Sequence, residues 1–255
     1  MNKDPETSII IRTKNEERWL EAVLDELYKQ TYQDFEILII DSGSTDKTLE
    51  IANKFPVKIF HIPPEDFSYP YSLNFGCEKA TSTKYLCFIP GHSLPISKTW
   101  LEDGIANFQD PKVCGVYGLV TALPDGTFWD KFFLTIWNFT YRLIYPPKRT
   151  WTKTYTGLLG FTNGMIRKEL WDKHHFDEDY GAGGEEAVWA DYWFKKDYIV
   201  IQDVNFSVKH SHHLGLIGWI KQINEWRSLK KPKPFRPLKF RKSLTHGEIP
   251  SNLTS

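Results

Sequence analysis

Cysteine is scarce in this chain. Its 255 residues include only Cys77, Cys87 and Cys114, far apart and each inside an apolar segment. That spacing favours buried free thiols over a disulfide framework or a zinc cluster. Net charge is missing as well. Lysine plus arginine and aspartate plus glutamate stand at 32 each, so bulk charge points to no nucleic acid or other polyanion. No uninterrupted apolar run is long enough to span a bilayer. Trp129 to Tyr145 comes nearest, and it contains Asp130, Lys131 and Arg142. The N-terminal Met-Asn-Lys-Asp-Pro-Glu has no apolar signal core. A soluble, cytoplasmic protein is expected.

What is present is a regular alternation. Phe35 to Thr48 reads Phe-Glu-Ile-Leu-Ile-Ile-Asp-Ser-Gly-Ser-Thr-Asp-Lys-Thr. A near-continuous apolar run suits a strand buried on both faces, as in a parallel sheet. Asp41 then lies at the strand's carboxyl end, where open α/β sheets bind ligands. Gly43 permits the bend, and Thr45 or Asp46 can cap the next helix. Further strands are expected at Ser8–Arg12, Val57–Ile62, Tyr85–Ile89 and Val113–Thr121. Helices are expected at Glu16–Gln30, Lys47–Phe55 and Ser97–Phe108, with a loop entering a helix over Pro70–Ala80. The fold class is α/β: a Rossmann-like, mostly parallel sheet with helices on both faces.

The second half is less regular. Trp129–Tyr145, Arg167–His174, Glu185–Lys196 and Leu214–Leu229 look helical, with a glycine-spaced strand or loop over Gly157–Ile166. Short strands are expected at Ile199–Gln202 and Phe206–His210. The division reads as 1–125 for a nucleotide-binding half, 126–226 for a second half of the same domain, and 227–255 for a basic tail. Arg227 to Lys242 holds eight lysines and arginines and no acid, interleaved with Leu229, Phe235, Leu238 and Phe240. Such a segment can seek an anionic bilayer, which adds peripheral contact at the inner membrane face to the expectation.

Four blocks in order resemble the family 2 glycosyltransferases, which have the GT-A fold and invert at the sugar carbon. They are Ser8 to Glu17, Asp41-Ser-Gly-Ser-Thr-Asp46, Phe67 to Gly76 ending in Asn74-Phe-Gly, and Glu185-Glu186-x-x-Trp189. The resemblance implies a sugar moved from a nucleotide-diphosphate donor, UDP- or dTDP-linked by preference, to a hydroxyl of a glycan or lipid-linked acceptor. It puts Thr13, Asn15 or Glu16, Asp41, Asn74 and Gly91 beside the nucleotide and donor. Asn74 can instead cap its own helix.

One departure concerns the metal. The family usually has Asp-x-Asp after the fourth buried strand, holding a divalent cation against the diphosphate. Here Pro90-Gly91-His92 stands in its place, with His92 where the second aspartate belongs. Imidazole binds Mn²⁺ and Zn²⁺ well and Mg²⁺ poorly, so Mn²⁺ or Mg²⁺ as cofactor stays open, as does metal-free catalysis. Strand alternation puts His210 and His212 on one face, where the family often completes the metal site. Glu186 aligns with the catalytic carboxylate and Glu185 is its neighbour. Adjacent helical residues point apart, so only one can be the base. Trp189, one turn on, braces that base and meets the acceptor. A binding protein of the same fold that has lost catalysis is the rival reading. A sugar nucleotidyltransferase is a weaker one, because Arg12 to Glu17 lacks that class's glycine-rich loop.

Overall fold

The computed structural model describes residues 3–155, 157–179 and 184–228. Its centre is an eight-stranded sheet. The strands are β1 (Thr7–Thr13), β2 (Phe35–Asp41), β3 (Lys58–His61), β4 (Tyr85–Pro90), β6 (Val113–Tyr117), β8 (Lys148–Trp151), β9 (Gly164–Arg167) and β10 (Ile199–Asp203), in the order β3-β2-β1-β4-β9-β6-β10-β8. β3, β2, β1 and β4 are mutually parallel, and β6 pairs parallel with β10. β9 runs antiparallel between β4 and β6, and β8 antiparallel along β10. A strand from the second half thus sits inside the sheet of the first, so the two halves share one sheet. A second, three-stranded sheet joins β5 (Leu94–Pro95), β11 (Val208–Lys209) and β7 (Val120–Thr121).

Alternation along the buried strands separates two cores. Ile10, Leu38, Ile40 and Phe88 face Leu73, Trp171, Phe176 and Trp189 on one side. Ile9, Ile11, Ile37 and Ile39 face Leu24, Leu27, Trp100 and Phe206 on the other. Each fully buried aliphatic side chain contributes about 1.5–3 kcal/mol relative to exposure, which is why β1 and β2 read as near-continuous apolar runs. Helices α1 (Leu20–Tyr28), α2 (Thr48–Ala52), α3 (Tyr69–Lys79), α4 (Trp100–Ala106), α7 (Lys168–Lys173) and α8 (Glu185–Phe194) cover the two faces. α5 (Phe128–Asp130), a π turn at Lys131–Thr135 and α6 (Ile136–Ile144) form one continuous rod, and α9 (Leu216–Ser228) closes the described chain.

Three expectations change. Pro70–Ala80 is not a loop entering a helix. α3 is helical from Tyr69, because Ser68 accepts the Tyr71 amide and Pro70 sits in the first turn. Val113–Thr121 is two strands. The chain changes sheets at Gly118, where a Cβ would stand 1.3 Å from the Phe206 carbonyl oxygen. Residues 148–151, to which the sequence pattern gives no element, form β8, whose half-buried Arg149 and Trp151 carry no continuous apolar run. The basic tail, from residue 229 onward, lies outside the described residues.

Candidate active site

The carboxyl ends of β1, β2 and β4 lie side by side, and each delivers polar side chains to one edge. At the end of β2, Asp41 is 1% exposed. Its carboxylate accepts from the Gly43 amide (3.0 Å), the Ser44 amide (3.0 Å) and the Thr13 hydroxyl (3.1 Å), and also from Ser44 Oγ. Asp41 therefore organises the turn, with Gly43 at φ +86° making the bend. Asn15, at φ 58°, closes over this turn: its Oδ1 accepts the Thr45 amide at 2.8 Å. Asp46 accepts the Thr48 amide at 3.0 Å and starts α2. The resulting loop is a rigid rim.

Gly91 is required by the close approach of β4 to β1. A Cβ there would lie 2.8 Å from Glu16 Cγ and 3.1 Å from Thr13 Cγ2. That approach brings His92 to Glu16, whose carboxylate oxygens lie 2.8 and 2.9 Å from His92 Nδ1. Glu16 thus orients the histidine. His210 arrives from the end of β11. Its Nδ1 meets the Ser93 hydroxyl at 3.1 Å and its Nε2 lies 3.0 Å from His212 Nε2. The His92 and His210 rings stack at 4.4 Å.

One nitrogen from each of His92, His210 and His212 lies within 4.8 Å of the other two. The alternation expected at 210 and 212 holds, and His92 comes in across 117 intervening residues. Burial pushes His210 well below its ordinary value, and His92 and His212 push it the same way. His212 is lowered for the same reasons. Neutral imidazoles are the metal-binding form, and a histidine whose Nδ1 is held by a carboxylate or hydroxyl presents Nε2 in a fixed direction. The donor set fits a divalent cation that accepts nitrogen, and fits Mg²⁺ poorly.

A second cluster, an acid pair, acts on Arg12, which in turn acts on His210. Glu185 and Glu186 open α8 behind Gly184, which sits at φ +96°. The two carboxyls act on one another's titration. At a helix N-terminus the first side chains can fold back toward the chain entry, and the Gly184 amide donates to Glu186 Oε2 at 3.2 Å. Glu185 is 3% exposed and Glu186 is half-buried. Burial raises both pKa values, and the Glu186 charge raises Glu185 further.

Arg12, between the clusters, received no role from the sequence. Its guanidinium lies 5.0 Å from the Tyr69 ring centroid and Nη1 has no hydrogen-bond partner, as is true of Glu185 Oε2. Burial lowers its pKa, while Glu185 and Glu186 hold it up. A cation at the penultimate position of a buried strand was the available signal.

Two expected site residues lie elsewhere. Asn74 sits mid-way along α3, neither capping it nor facing the edge. Its amide donates to the Phe176 carbonyl (2.9 Å) and Glu178 (3.1 Å) and accepts from Trp171 Nε1 (3.1 Å) and the Phe176 amide (3.1 Å). Its full hydrogen-bonding capacity ties α3 to the 171–178 segment. Trp189 is 1% exposed and donates to the His174 carbonyl at 2.7 Å. It is core, and no acceptor can reach it.

The family model described as Glycosyl transferase family 2 matches residues 8–174. The chain belongs to glycosyltransferase family 2. A dolichyl N-acetyl-glucosaminyl phosphate diacetamido-dideoxy-glucuronosyltransferase of Methanococcus voltae is 30% identical over 46% of this chain and 40% of its own. An O-antigen chain rhamnosyltransferase of Salmonella anatum is 31% identical over 45% and 36%. The matches thus span well under half the length of these relatives. In structure, a Pyrobaculum calidifontis mannosyltransferase solved with GDP-Man and Mn²⁺ superposes with a TM-score of 0.64 at 17% identity, over 98% of this chain and 67% of that one. The GT-A fold is shared. The family 2 match ends at residue 174, so the acid pair, His210 and His212 stand on geometry.

The raised acid pair of this family 2 member has a consequence for stability. Glu185 is raised from 4.5 to about 8. The folded chain then keeps a proton that the unfolded chain has released, so stability is full below about pH 4.5, falls as pH rises toward 8, and then levels. Glu185→Gln removes this slope. Its Tm should match the wild type near pH 5 and exceed it by several degrees at pH 8.5, at about 2–4 °C per kcal/mol for a chain of this size. Identical melting-against-pH curves for the two proteins would refute the assignment.

Proposed function

We propose that this protein is an inverting glycosyltransferase that moves a hexosyl or deoxyhexosyl unit from a nucleotide-diphosphate sugar to a hydroxyl of a glycan or lipid-linked acceptor. The observation that supports it is the presence of three converging histidines, an arginine with an unpartnered Nη1 and an acid pair with raised pKa, with Arg12 electrostatically linked to both clusters. Residues 1–125 bind the nucleotide against the Asp41 turn, with Thr13 and Asn15 on the same rim. Residues 126–226 supply the acceptor side.

Glu186, the more accessible carboxyl, takes the proton of the acceptor hydroxyl as its oxygen bonds to the anomeric carbon. The bond from that carbon to the diphosphate oxygen breaks, with inversion. Arg12 stands where a departing diphosphate can engage its free Nη1. His92, His210 and His212 would hold a divalent cation, which neutralises charge on a leaving diphosphate. Mn²⁺ suits these nitrogens better than Mg²⁺.

A thermal-shift screen of UDP, dTDP and GDP, each with and without Mn²⁺ or Mg²⁺, tests the reading. A bound nucleotide at a hundred times its Kd adds about 2.7 kcal/mol. Arg12→Ala should weaken diphosphate binding by about 1.5–3 kcal/mol, the range for a hydrogen bond to a charged group. No shift with any nucleotide diphosphate, and no turnover of a sugar donor, would leave a fold without the chemistry.

A further inference from the structure

The rod formed by α5, the π turn and α6 is amphipathic in the wrong sense for a globular protein. Asp130, Asn138 and the Tyr141 hydroxyl face the body of the molecule. Asp130 is fully buried and accepts from the Leu214 amide and Trp219 Nε1. Asn138 bonds to the Val120 carbonyl, and the Tyr141 hydroxyl donates to Gln202 at 2.7 Å. The apolar side chains face outward. Phe128, Leu143 and Ile144 are each 70% exposed, Phe139 64% and Ile136 48%. An ordinary surface helix shows the reverse.

The stripe does not end with this rod. Phe133 packs on Trp219 of α9 at 5.2 Å, and α9 exposes Ile217 (70%) and Ile220 (51%) beside it. A continuous apolar surface of this extent on two adjoining helices calls for a covering partner.

Charge identifies the partner. There is no acidic residue between Asp130 and Glu169, nor from Val204 through Asn224. Exposed Lys131, Arg142, Lys153 and Lys221 accompany the apolar side chains. Of the acids flanking the rod, Asp130 is buried, and Asp125 pairs with Arg18 at 2.6 Å. Two copies meeting through this face would oppose like charges. An anionic bilayer accepts both parts, the apolar stripe among the acyl chains and the lysines and arginines at the headgroups. Among the described residues no helix is long and apolar enough to cross a membrane, so the rod lies along the surface.

We propose that α5, α6 and the first turns of α9 form a docking face for an anionic lipid bilayer. Leu216 follows His212 by four residues, and Asp130 fastens the rod to Leu214 and Trp219. Docking therefore sets the histidine cluster close to the lipid surface on a rigid frame. The face is independent of the transfer chemistry, because its contact needs neither donor nor metal.

Co-sedimentation of the full chain with vesicles tests it, without donor. Vesicles of phosphatidylcholine with phosphatidylglycerol should pellet the wild type, less so at high salt, and phosphatidylcholine alone should pellet it weakly. Phe139→Glu with Leu143→Glu should reduce partitioning at least about tenfold, since two anchors are lost and two acids face anionic lipid. Both side chains are exposed, so the far-UV circular dichroism and Tm should not change. Ile217→Glu, on the other helix, should act in the same direction. Undiminished binding of the double variant would place membrane contact in the basic tail and overturn the proposal. So would failure of the wild type to bind, or a wild-type dimer in sedimentation velocity that the variant converts to monomer.

Discussion

Glu186→Gln should lower turnover of a nucleotide-sugar donor by roughly 10²–10⁴-fold while leaving donor affinity nearly intact, the range for a lost general base. The amide keeps the side chain's size and its bond from the Gly184 amide, but it cannot accept the hydroxyl proton. Glu185→Gln should do less damage. Glu185 is 3% exposed, while Glu186 is only half-buried, so an acceptor hydroxyl meets Glu186 first. Steady-state kinetics on both variants, with nucleotide binding measured separately, decide the matter. A larger loss in Glu185→Gln would exchange the two roles.

His92→Ala should weaken Mn²⁺ binding and reduce activity together. One of three converging nitrogens is lost, and Glu16 is left without the imidazole that holds both its oxygens. Losing a single ligand-orienting contact commonly costs 10–100-fold in metal affinity, and losing the ligand itself should cost at least that. Glu16→Gln probes the orienting contact alone, so its metal affinity should fall less than that of His92→Ala. Titration of Mn²⁺ into the protein by calorimetry or electron paramagnetic resonance reads the binding without relying on turnover. Competition with Zn²⁺ should be strong and with Mg²⁺ weak, following the nitrogen donor set. Full activity in excess EDTA, with no bound Mn²⁺ in the wild type, would defeat the metal assignment and leave His92 and Arg12 as direct phosphate contacts.

The two experiments probe opposite sides of Arg12. It sits within electrostatic reach of both clusters, its pKa lowered by burial but held up by Glu185 and Glu186, and itself lowering His210. A diphosphate between the histidines and the guanidinium would relieve the burial cost of that cation, which has an unpartnered Nη1 in the ligand-free chain.

Much of this was legible in the chain itself. Ile9 to Ile11 and Ile37 to Ile40 could only be strands buried on both faces, because no other element hides so many consecutive apolar side chains. Asp41, Gly43 and Asp46 spelled a strand-turn-helix joint, and residues 210 and 212 shared a face by strand alternation alone. Local pattern records how deeply a residue is buried and in what geometry. It does not record against what. Asn74 and Trp189 fit family blocks, yet their partners, Phe176 and His174, come from other parts of the chain, and those contacts make them structural. The meeting of His92 with His210, the insertion of β9 between β4 and β6, and the unpartnered Nη1 of Arg12 depend on contacts between distant segments. The outward apolar face of α6 was equally hidden. Its sequence shows an amphipathic helix, and only the packing of Asn138 and Tyr141 onto Val120 and Gln202 determines which side meets the protein and which meets its surroundings.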